Sequence, residues 1–251
     1  MTIHPVFTLL LMGHVLGDFY LQTEKMARLK NKNWKWLAAH SVAYASCMAL
    51  ALFGGIAYSQ QLMWLFMAVS AAHLAVDFLK RCIVRKLTAE RGKLLRVFLL
   101  DQLMHLALLG TAWWIWREHL TVKAFVTDRS IAFLPESPVL ILLGLLCVVR
   151  PIGTLINSGD IWDFSKNRAA PSESQKGAGR MIGYLERIIV FFLLISGQFT
   201  AIGFVMAAKS VIRFPEIREK GGAQAEYYLI GTLLSMTSVI VMTLLLGLVA
   251  L

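Results

Sequence analysis

Residues 13–22 read Gly-His-Val-Leu-Gly-Asp-Phe-Tyr-Leu-Gln, an apolar run interrupted by polar side chains. His14, Asp18 and Gln22 are four residues apart, and residues at this spacing share one face of an α-helix. Polar groups inside a hydrocarbon-length helix are costly, so such a stripe requires an internal partner, a cavity or a bound ion. The stretch therefore predicts a polar site inside a bundle of membrane-spanning helices.

Similar pairs recur in later apolar runs. His73 and Asp77 repeat the spacing, Asp101 and His105 carry it in reverse order, and His40 adds a histidine on a further run. A small-His-x-x-x-Asp-Phe pattern is common to the first and third runs, which is compatible with two hairpins related by an axis along the membrane normal. We interpret these residues as one site shared by four helices.

Composition places the chain in the class of multi-spanning membrane proteins. Of its 251 residues, 57% are hydrophobic and 16% are charged, which is too apolar for a soluble domain. The net charge of +10 lies mainly in short loops, as in cytoplasmic flanks of membrane helices, and no nucleic-acid motif accompanies it. The spacing of Cys47, Cys82 and Cys147 indicates neither a disulfide framework nor a zinc knuckle.

The predicted fold is an all-α, polytopic transmembrane helical bundle of about seven helices, with six to eight possible. A span needs about 20 mostly apolar residues. On that criterion the helices lie near 4–22, 37–57, 62–80, 97–116, 138–157, 182–208 and 228–250. Ser196-Gly197-Gln198 interrupts the sixth, so a broken helix or a re-entrant pair is the alternative there. We predict a four-helix core carrying the His and Asp residues over 1–116. Three further membrane helices follow over 117–251, with a polar cytoplasmic loop at 158–181.

The distribution of basic residues predicts the orientation. Two loops are strongly basic, the one between the first and second helices and the one between the third and fourth. By the positive-inside rule these loops are cytoplasmic and the N-terminus is outside. At ~1.5 Å per residue, the carboxylates of Asp18, Asp77 and Asp101 then lie roughly 5–7 Å below the inner surface, with His40.

Imidazoles and carboxylates at one depth are ligands that zinc and related divalent ions take. The metal ligands predicted from this pattern are His14, Asp18, His73, Asp77, Asp101 and His105. Such a set could hold one or two divalent ions, most simply zinc. Asp18, His40 and Asp101 are the predicted catalytic residues, as base, acid or additional ligand.

Five further residues are predicted to bind substrate. Gln22, Gln102 and Tyr44 could orient ligands or stabilise an oxyanion. Lys80 and Arg81 lie at the predicted inner surface beside Asp77, where they could hold an anionic head group.

At these residues the sequence resembles an uncharacterised bacterial inner-membrane family, the domain of unknown function 3307. The resemblance is carried by Gly13-His14-x-x-Gly17-Asp18-Phe19-x-Leu21-Gln22, His40, His73-x-x-x-Asp77-x-x-Lys80 and Asp101-Gln102-x-x-His105, and extends into 183–187, 209–214 and 226–232. It implies a multi-pass protein of the bacterial inner membrane and no known activity. The His-x-x-x-Asp helices are also similar to predicted membrane-bound metal-dependent hydrolases.

Three functions are compatible with the pattern. The leading hypothesis is an intramembrane metal-dependent hydrolase acting at the cytoplasmic leaflet on a lipid-linked or amphiphilic substrate, for which the basic inner rim favours a phosphate-bearing lipid. The first alternative is an ion- or proton-coupled transporter that uses the same His/Asp cluster. The second is a non-catalytic scaffold whose polar cluster fastens helices together. Membrane lipids are the expected partners and nucleic acid is not.

Overall fold

The described secondary structure is helical. The computed structural model of the protein describes residues 3–84, 91–128, 136–158, 173–220 and 222–248. Within these ranges the α-helices are α1 Pro5–Val15, α2 Glu24–Leu29, α3 Trp34–Gly55, α4 Gln60–Val84, α5 Arg91–Trp116, α6 Ala124–Thr127, α7 Pro138–Ser158, α8 Glu173–Ile195, α9 Phe199–Lys220 and α10 Gly222–Leu245. The β-type pairing in the described chain is an isolated bridge between Ile56 and Val122. The predicted all-α fold is confirmed.

Four of the described helical segments are long and apolar enough to cross a membrane. They are Trp34–Gly55, Gln60–Val84, Leu95–His119 and Pro138–Ile156. Shorter apolar helical segments are Pro5–Tyr20, Phe199–Val211 and Leu229–Leu245. Length and composition therefore indicate a membrane protein, while the number of spans and the orientation of the N-terminus stay predictions.

The sixth predicted span, 182–208, is a broken helix in the structure, which agrees with the alternative that the sequence left open. The chain breaks between α8 and α9 at Gly197, whose φ of 68° favours glycine. Its N–H donates to Leu194 O, and the N–H of Gln198 donates to Leu193 O, so two carbonyls at the end of α8 are satisfied by the turn. Of the predicted loop 158–181, residues 173–181 are helical and belong to α8. Residues 159–172 lie outside the described residues.

One compact unit comprises Ile3–Asp128 with Ser137–Leu143 and contains α1 to α6. In it α1 packs on α3 and α5, α3 packs on α4, and α4 packs on α5, so four helices form a closed ring. Buried apolar side chains form one cluster in this unit: Val6, Leu9, Leu10, Tyr44, Met48, Leu52, Ile56, Leu62, Leu65, Val69, Leu109, Ala112 and Val126. Tyr44 lies where this cluster meets the histidines, because its ring stacks on His73.

Two glycines set the distance between α1 and α3. A Cβ at Gly13 would lie 2.8 Å from Met48 Sδ and 3.0 Å from Met48 Cα. A Cβ at Gly17 would lie 2.7 Å from Tyr44 Cδ2 and 3.1 Å from Tyr44 Cα. Because real Cβ contacts of this length do not occur, the two helices can approach this closely only with glycine at both positions.

The second unit, described by itself, includes Gly144–Leu251. In it α8 packs on α9 and on α10, and α9 packs on α10. Arg187 of α8 is buried and donates from Nε to Val148 O at 2.6 Å and from Nη2 to Val149 O at 3.2 Å. These carbonyls lie just before Pro151, whose missing N–H interrupts the hydrogen bonds of α7.

Candidate metal centre

The first part of the centre is a π-helical turn. The α-helix α1 ends at Val15, and Leu16–Tyr20 continue as a π-helix in which the N–H of Leu21 donates to Leu16 O at 2.9 Å. Turns of this kind are frequent at functional sites. The helix ends before Gln22, so the prediction of one α-helical stripe through His14, Asp18 and Gln22 is wrong. The two residues that remain are separated by 4.0 Å between His14 Nδ1 and Asp18 Oδ2.

Four side-chain atoms from the π-turn, α3 and α4 converge on one point. His40 Nε2 lies 3.2 Å from Asp18 Oδ1, 3.1 Å from Asp77 Oδ2 and 3.3 Å from His73 Nε2. His73 Nε2 lies 3.6 Å from the same two oxygens. All four side chains are buried. Neighbouring elements of the ring therefore contribute nitrogen and oxygen atoms to a shared position.

The available hydrogens leave part of this arrangement unpaired. Each imidazole Nε2 carries at most one hydrogen, yet His40 Nε2 faces two carboxylate oxygens and a second imidazole nitrogen. Asp77 Oδ2 also accepts from Lys30, whereas Asp18 Oδ1 is buried without a hydrogen-bond partner among the described residues. A buried polar group without a partner is costly, and more so in a hydrocarbon environment. A cation placed among the four atoms would satisfy all of them at once.

The nitrogen–nitrogen and nitrogen–oxygen distances at this position are in the range expected for ligands of a small divalent ion. In a tetrahedral site with ligands about 2.0–2.1 Å from the ion, neighbouring ligand atoms lie about 3.3–3.4 Å apart. The five distances that join the two nitrogens to each other and to the two oxygens are 3.1–3.6 Å. The residues present therefore fit a divalent ion with nitrogen and oxygen ligands.

Further candidate ligands surround this point. Three buried groups each offer ligand atoms within 4.8 Å of one another: His14 with Asp18 and His73, His40 with His73 and Asp77, and Asp77 with Asp101 and His105. The structure thus brings together all six predicted metal ligands. His40, predicted as an acid, base or additional ligand, belongs to one of these groups.

The side chains on α5 are oriented by hydrogen bonds of their own. His105 Nδ1 lies 2.8 Å from the backbone oxygen of Asp101, and because a carbonyl only accepts, Nδ1 carries the hydrogen. The lone pair of the neutral ring is then on Nε2, which is buried and has no partner among the described residues. His14 stacks on His105, with ring centroids 5.3 Å apart. His105 is therefore held in the tautomer that a metal ligand needs.

Two lysines reduce the negative charge of the centre. Lys30, which follows α2, is 4% exposed, and its Nζ lies 3.0 Å from both oxygens of Asp77. Lys80 donates to Asp101 Oδ2. In the sequence, no pattern distinguishes Lys30 from the other basic residues of the loop between the first and second predicted helices. Together with Asp18, the centre has three carboxylates and these two ammonium groups. One negative charge therefore remains to attract a bound cation.

The predicted substrate-binding residues have different surroundings. Tyr44 stacks face to face on His73, with centroids 3.4 Å apart, and therefore orients that imidazole. Gln102 donates to Asp101 Oδ2 at 3.3 Å and its Oε1 lies 3.4 Å from His14 Nε2, which links two candidate ligands.

Two of those residues lie further from the ligand atoms. Arg81 is buried, and its guanidinium lies 5.6 Å from the Trp34 ring, with Nη1 unpartnered among the described residues. Gln22 lies beyond the π-turn, and its Oε1 is likewise buried without a described partner. Their assignment to substrate binding stays a prediction.

Comparison with protein families agrees with this site. Residues 6–132 match the family described as "Protein of unknown function (DUF3307)". The chain belongs to this family. The DUF3307 match includes every candidate ligand of the centre, whereas 183–187, 209–214 and 226–232 lie beyond it. No curated protein and no solved structure matches the chain significantly. The resemblance to membrane-bound metal-dependent hydrolases stays a prediction.

Proposed function

We propose that the protein is an intramembrane metal-dependent hydrolase that acts at the cytoplasmic leaflet of the bacterial inner membrane on a lipid-linked or amphiphilic substrate with an anionic group. The observation that carries the proposal is the convergence of His40 Nε2, His73 Nε2, Asp18 Oδ1 and Asp77 Oδ2, with separations of 3.1–3.6 Å. Two imidazoles with one carboxylate are a ligand set of hydrolytic zinc enzymes.

The side chains divide into ligands and a base. His40, His73 and Asp77 would hold a zinc ion, and Asp18 would accept a proton from the attacking water or serve as a fourth ligand. When bound, the ion would polarise a carbonyl or phosphoryl oxygen and make a water molecule more acidic. Lys30 would keep Asp77 ionised and oriented through its contact with both carboxylate oxygens.

The neighbouring residues on α5 would support the same chemistry. Gln102 lies between His14 and Asp101 and would hold both side chains in position. Asp101, paired with Lys80, would act as a proton acceptor only after that lysine has another partner. His14 and His105 provide the ligands from which a second ion could be bound.

Metal content tests the centre directly. Purified protein is expected to contain about one zinc per chain by elemental analysis, and His73→Ala or Asp77→Asn is expected to lose it. His119→Ala is the matched control, because His119 is exposed in the turn Arg117–His119 and lies outside the centre. Zinc-free wild-type protein that also fails to take up added zinc would end the metalloenzyme proposal.

Activity and transport are separated in vesicles. Proteoliposomes made from bacterial phospholipids are expected to release phosphate or fatty acid in a zinc-dependent manner, and Asp18→Asn is expected to abolish the release with zinc still bound. Movement of radioactive zinc into sealed vesicles, dependent on His105, would instead establish transport by the same cluster. If the double variant Asp18→Asn, Asp101→Asn folds and functions like the wild type in cells, the remaining explanation is a non-catalytic scaffold.

A further inference from the structure

A groove lies between α4 and α5 on the outer face of the site-bearing unit. Its volume is about 60 Å³, several times the ~10–15 Å³ that a single water molecule requires. Apolar side chains from both helices line it, among them Leu79, Ile83, Leu100 and Met104, each more than two-fifths exposed. Both helices are long and apolar enough to span a membrane, so a groove between them would be open to lipid in a bilayer.

The groove contains one ionic pair. Lys80 and Asp101 contribute to its lining and pair with each other across the two helices. The Lys80 side chain is 16% exposed, whereas that of Asp101 is 3% exposed. Lys80 is therefore the more exposed residue of the pair, and Asp101 is the more deeply buried one.

Asp101 connects this groove to the metal centre. Its Oδ2 accepts from Gln102, whose Oε1 lies 3.4 Å from His14 Nε2. One oxygen of Asp101 and Asp77 also belong to a group of candidate ligands within 4.8 Å of one another. A molecule that contacts Lys80 from the groove is therefore next to Asp101, which is itself a candidate ligand.

We propose that the groove between α4 and α5 binds one hydrocarbon chain of an anionic phospholipid-like substrate, which enters from the bilayer and places its phosphate on Lys80. This inference rests on the proposed function, since it names how the substrate of that centre arrives. The phosphate replaces Asp101 as the partner of Lys80. Asp101 is then released to accept a proton at the centre.

The charge of the head group determines selectivity in this arrangement. A hydrocarbon chain gains little by leaving the bilayer for an apolar groove, because lipid tails are as apolar as the groove lining. Each lysine or arginine near the surface raises the binding constant for an anionic head group about fivefold. The groove therefore directs the chain, and Lys80 selects the head group.

Photochemical crosslinking tests the groove. Protein in vesicles receives trace phosphatidic acid or phosphatidylcholine that carries a diazirine in the acyl chain, and the crosslinked peptides are mapped. Phosphatidic acid is expected to label α4 and α5 peptides about fivefold more than phosphatidylcholine. Leu100→Trp fills the groove and is expected to lower this labelling severalfold. Leu103→Trp, on the same helix and 61% exposed but outside the groove lining, is the matched control.

Each outcome has one meaning. Equal labelling by the two lipids, or equal labelling of the two tryptophan variants, would overturn the inference. Thermal unfolding and zinc content are measured on the same samples, so loss of labelling through misfolding is recognised. Normal groove labelling in a protein that binds no zinc would end the proposed hydrolase function and keep the lipid site.

Discussion

At the scale of residues, the metal proposal depends mainly on the surroundings of one imidazole nitrogen. His40 Nε2 has three candidate partners within 3.3 Å and at most one hydrogen. The next pair outward, Lys30 with Asp77, is equally buried and provides a positive charge beside a candidate ligand. The ammonium group and a bound cation therefore repel each other while both stabilise the same carboxylate.

Replacing Lys30 separates these two effects. Lys30→Met is expected to destabilise the zinc-free protein on the order of 3 kcal/mol, because Asp77 is left as an uncompensated buried charge. The same variant is expected to bind zinc at least about tenfold more tightly, because the repelling charge is gone. Thermal unfolding with and without zinc, and a competition titration with a fluorescent chelator, measure the two quantities.

Lys35→Met provides the comparison, because Lys35 carries the same charge in the same basic stretch and is exposed. It is expected to change neither quantity. Weaker zinc binding by Lys30→Met than by wild type would show that Lys30 does not compete with the ion.

At the scale of elements, the close approach of α1 to α3 positions the π-turn. Gly13 and Gly17 leave no room for a Cβ against Met48 and Tyr44. Tyr44 in turn stacks on His73, so its ring cannot move away without moving a candidate ligand. The geometry of the centre therefore depends on helix packing as well as on the ligands themselves.

Gly17→Ala tests this dependence. The added methyl group is expected to push α1 from α3 at a cost of roughly 1–3 kcal/mol and to reduce bound zinc, because Asp18 moves with the turn. Gly54→Ala is the control, since a Cβ there meets nothing within 4 Å. Gly54→Ala is expected to leave the free energy of unfolding unchanged or to raise it by about 0.5–1 kcal/mol. Thermal unfolding and zinc content that are unchanged in both variants would contradict the packing argument.

In the second unit, Arg187 satisfies carbonyls of α7 beside Pro151. Arg187→Met is expected to lower the melting temperature, because the buried Val148 O and the partly buried Val149 O each lose a charged donor, at a cost of roughly 1–3 kcal/mol. Arg187→Lys retains the charge but not the forked donors, so its melting temperature is expected to lie between those of wild type and Arg187→Met. A lysine variant that is no more stable than the methionine variant would show that the carbonyl contacts are unimportant.

At the scale of the whole molecule, the family match and the candidate centre coincide. The DUF3307 match ends at residue 132, and the unit that holds the centre runs over Ile3–Asp128 with Ser137–Leu143. The helices from Gly144 onward form a unit of their own outside most of that match. The candidate centre thus lies in the part of the chain that matches the family.

The predicted orientation is testable with a natural cysteine. Cys82 is exposed near the predicted cytoplasmic end of α4, while Cys47 and Cys147 are buried. A membrane-impermeant maleimide is expected to label Cys82 in inside-out vesicles and not in spheroplasts, which are cells stripped of their outer membrane. In a Cys82→Ser background, His119→Cys at the opposite end of α5 is expected to show the reverse pattern. Labelling of Cys82 from the outside would invert the predicted topology.

Sequence alone determined the helical class and predicted which residues form the candidate site. Hydrocarbon-length apolar runs must satisfy their backbone groups internally, so they are helices. Ionisable residues in such runs are costly, so His40, His73, Asp18 and Asp77 had to meet partners inside the bundle. These two statements follow from local composition and need no coordinates.

Tertiary structure decided what composition could not. The π-turn that removes Gln22 from the helical stripe, the break at Gly197, and the burial of Lys30 against Asp77 depend on contacts between residues far apart in the chain. A loop lysine has the same local sequence signature whether it lies in water or inside a site. Only the folded arrangement of α2, α3 and α4 distinguishes the two, because burial is a property of neighbours and not of spacing.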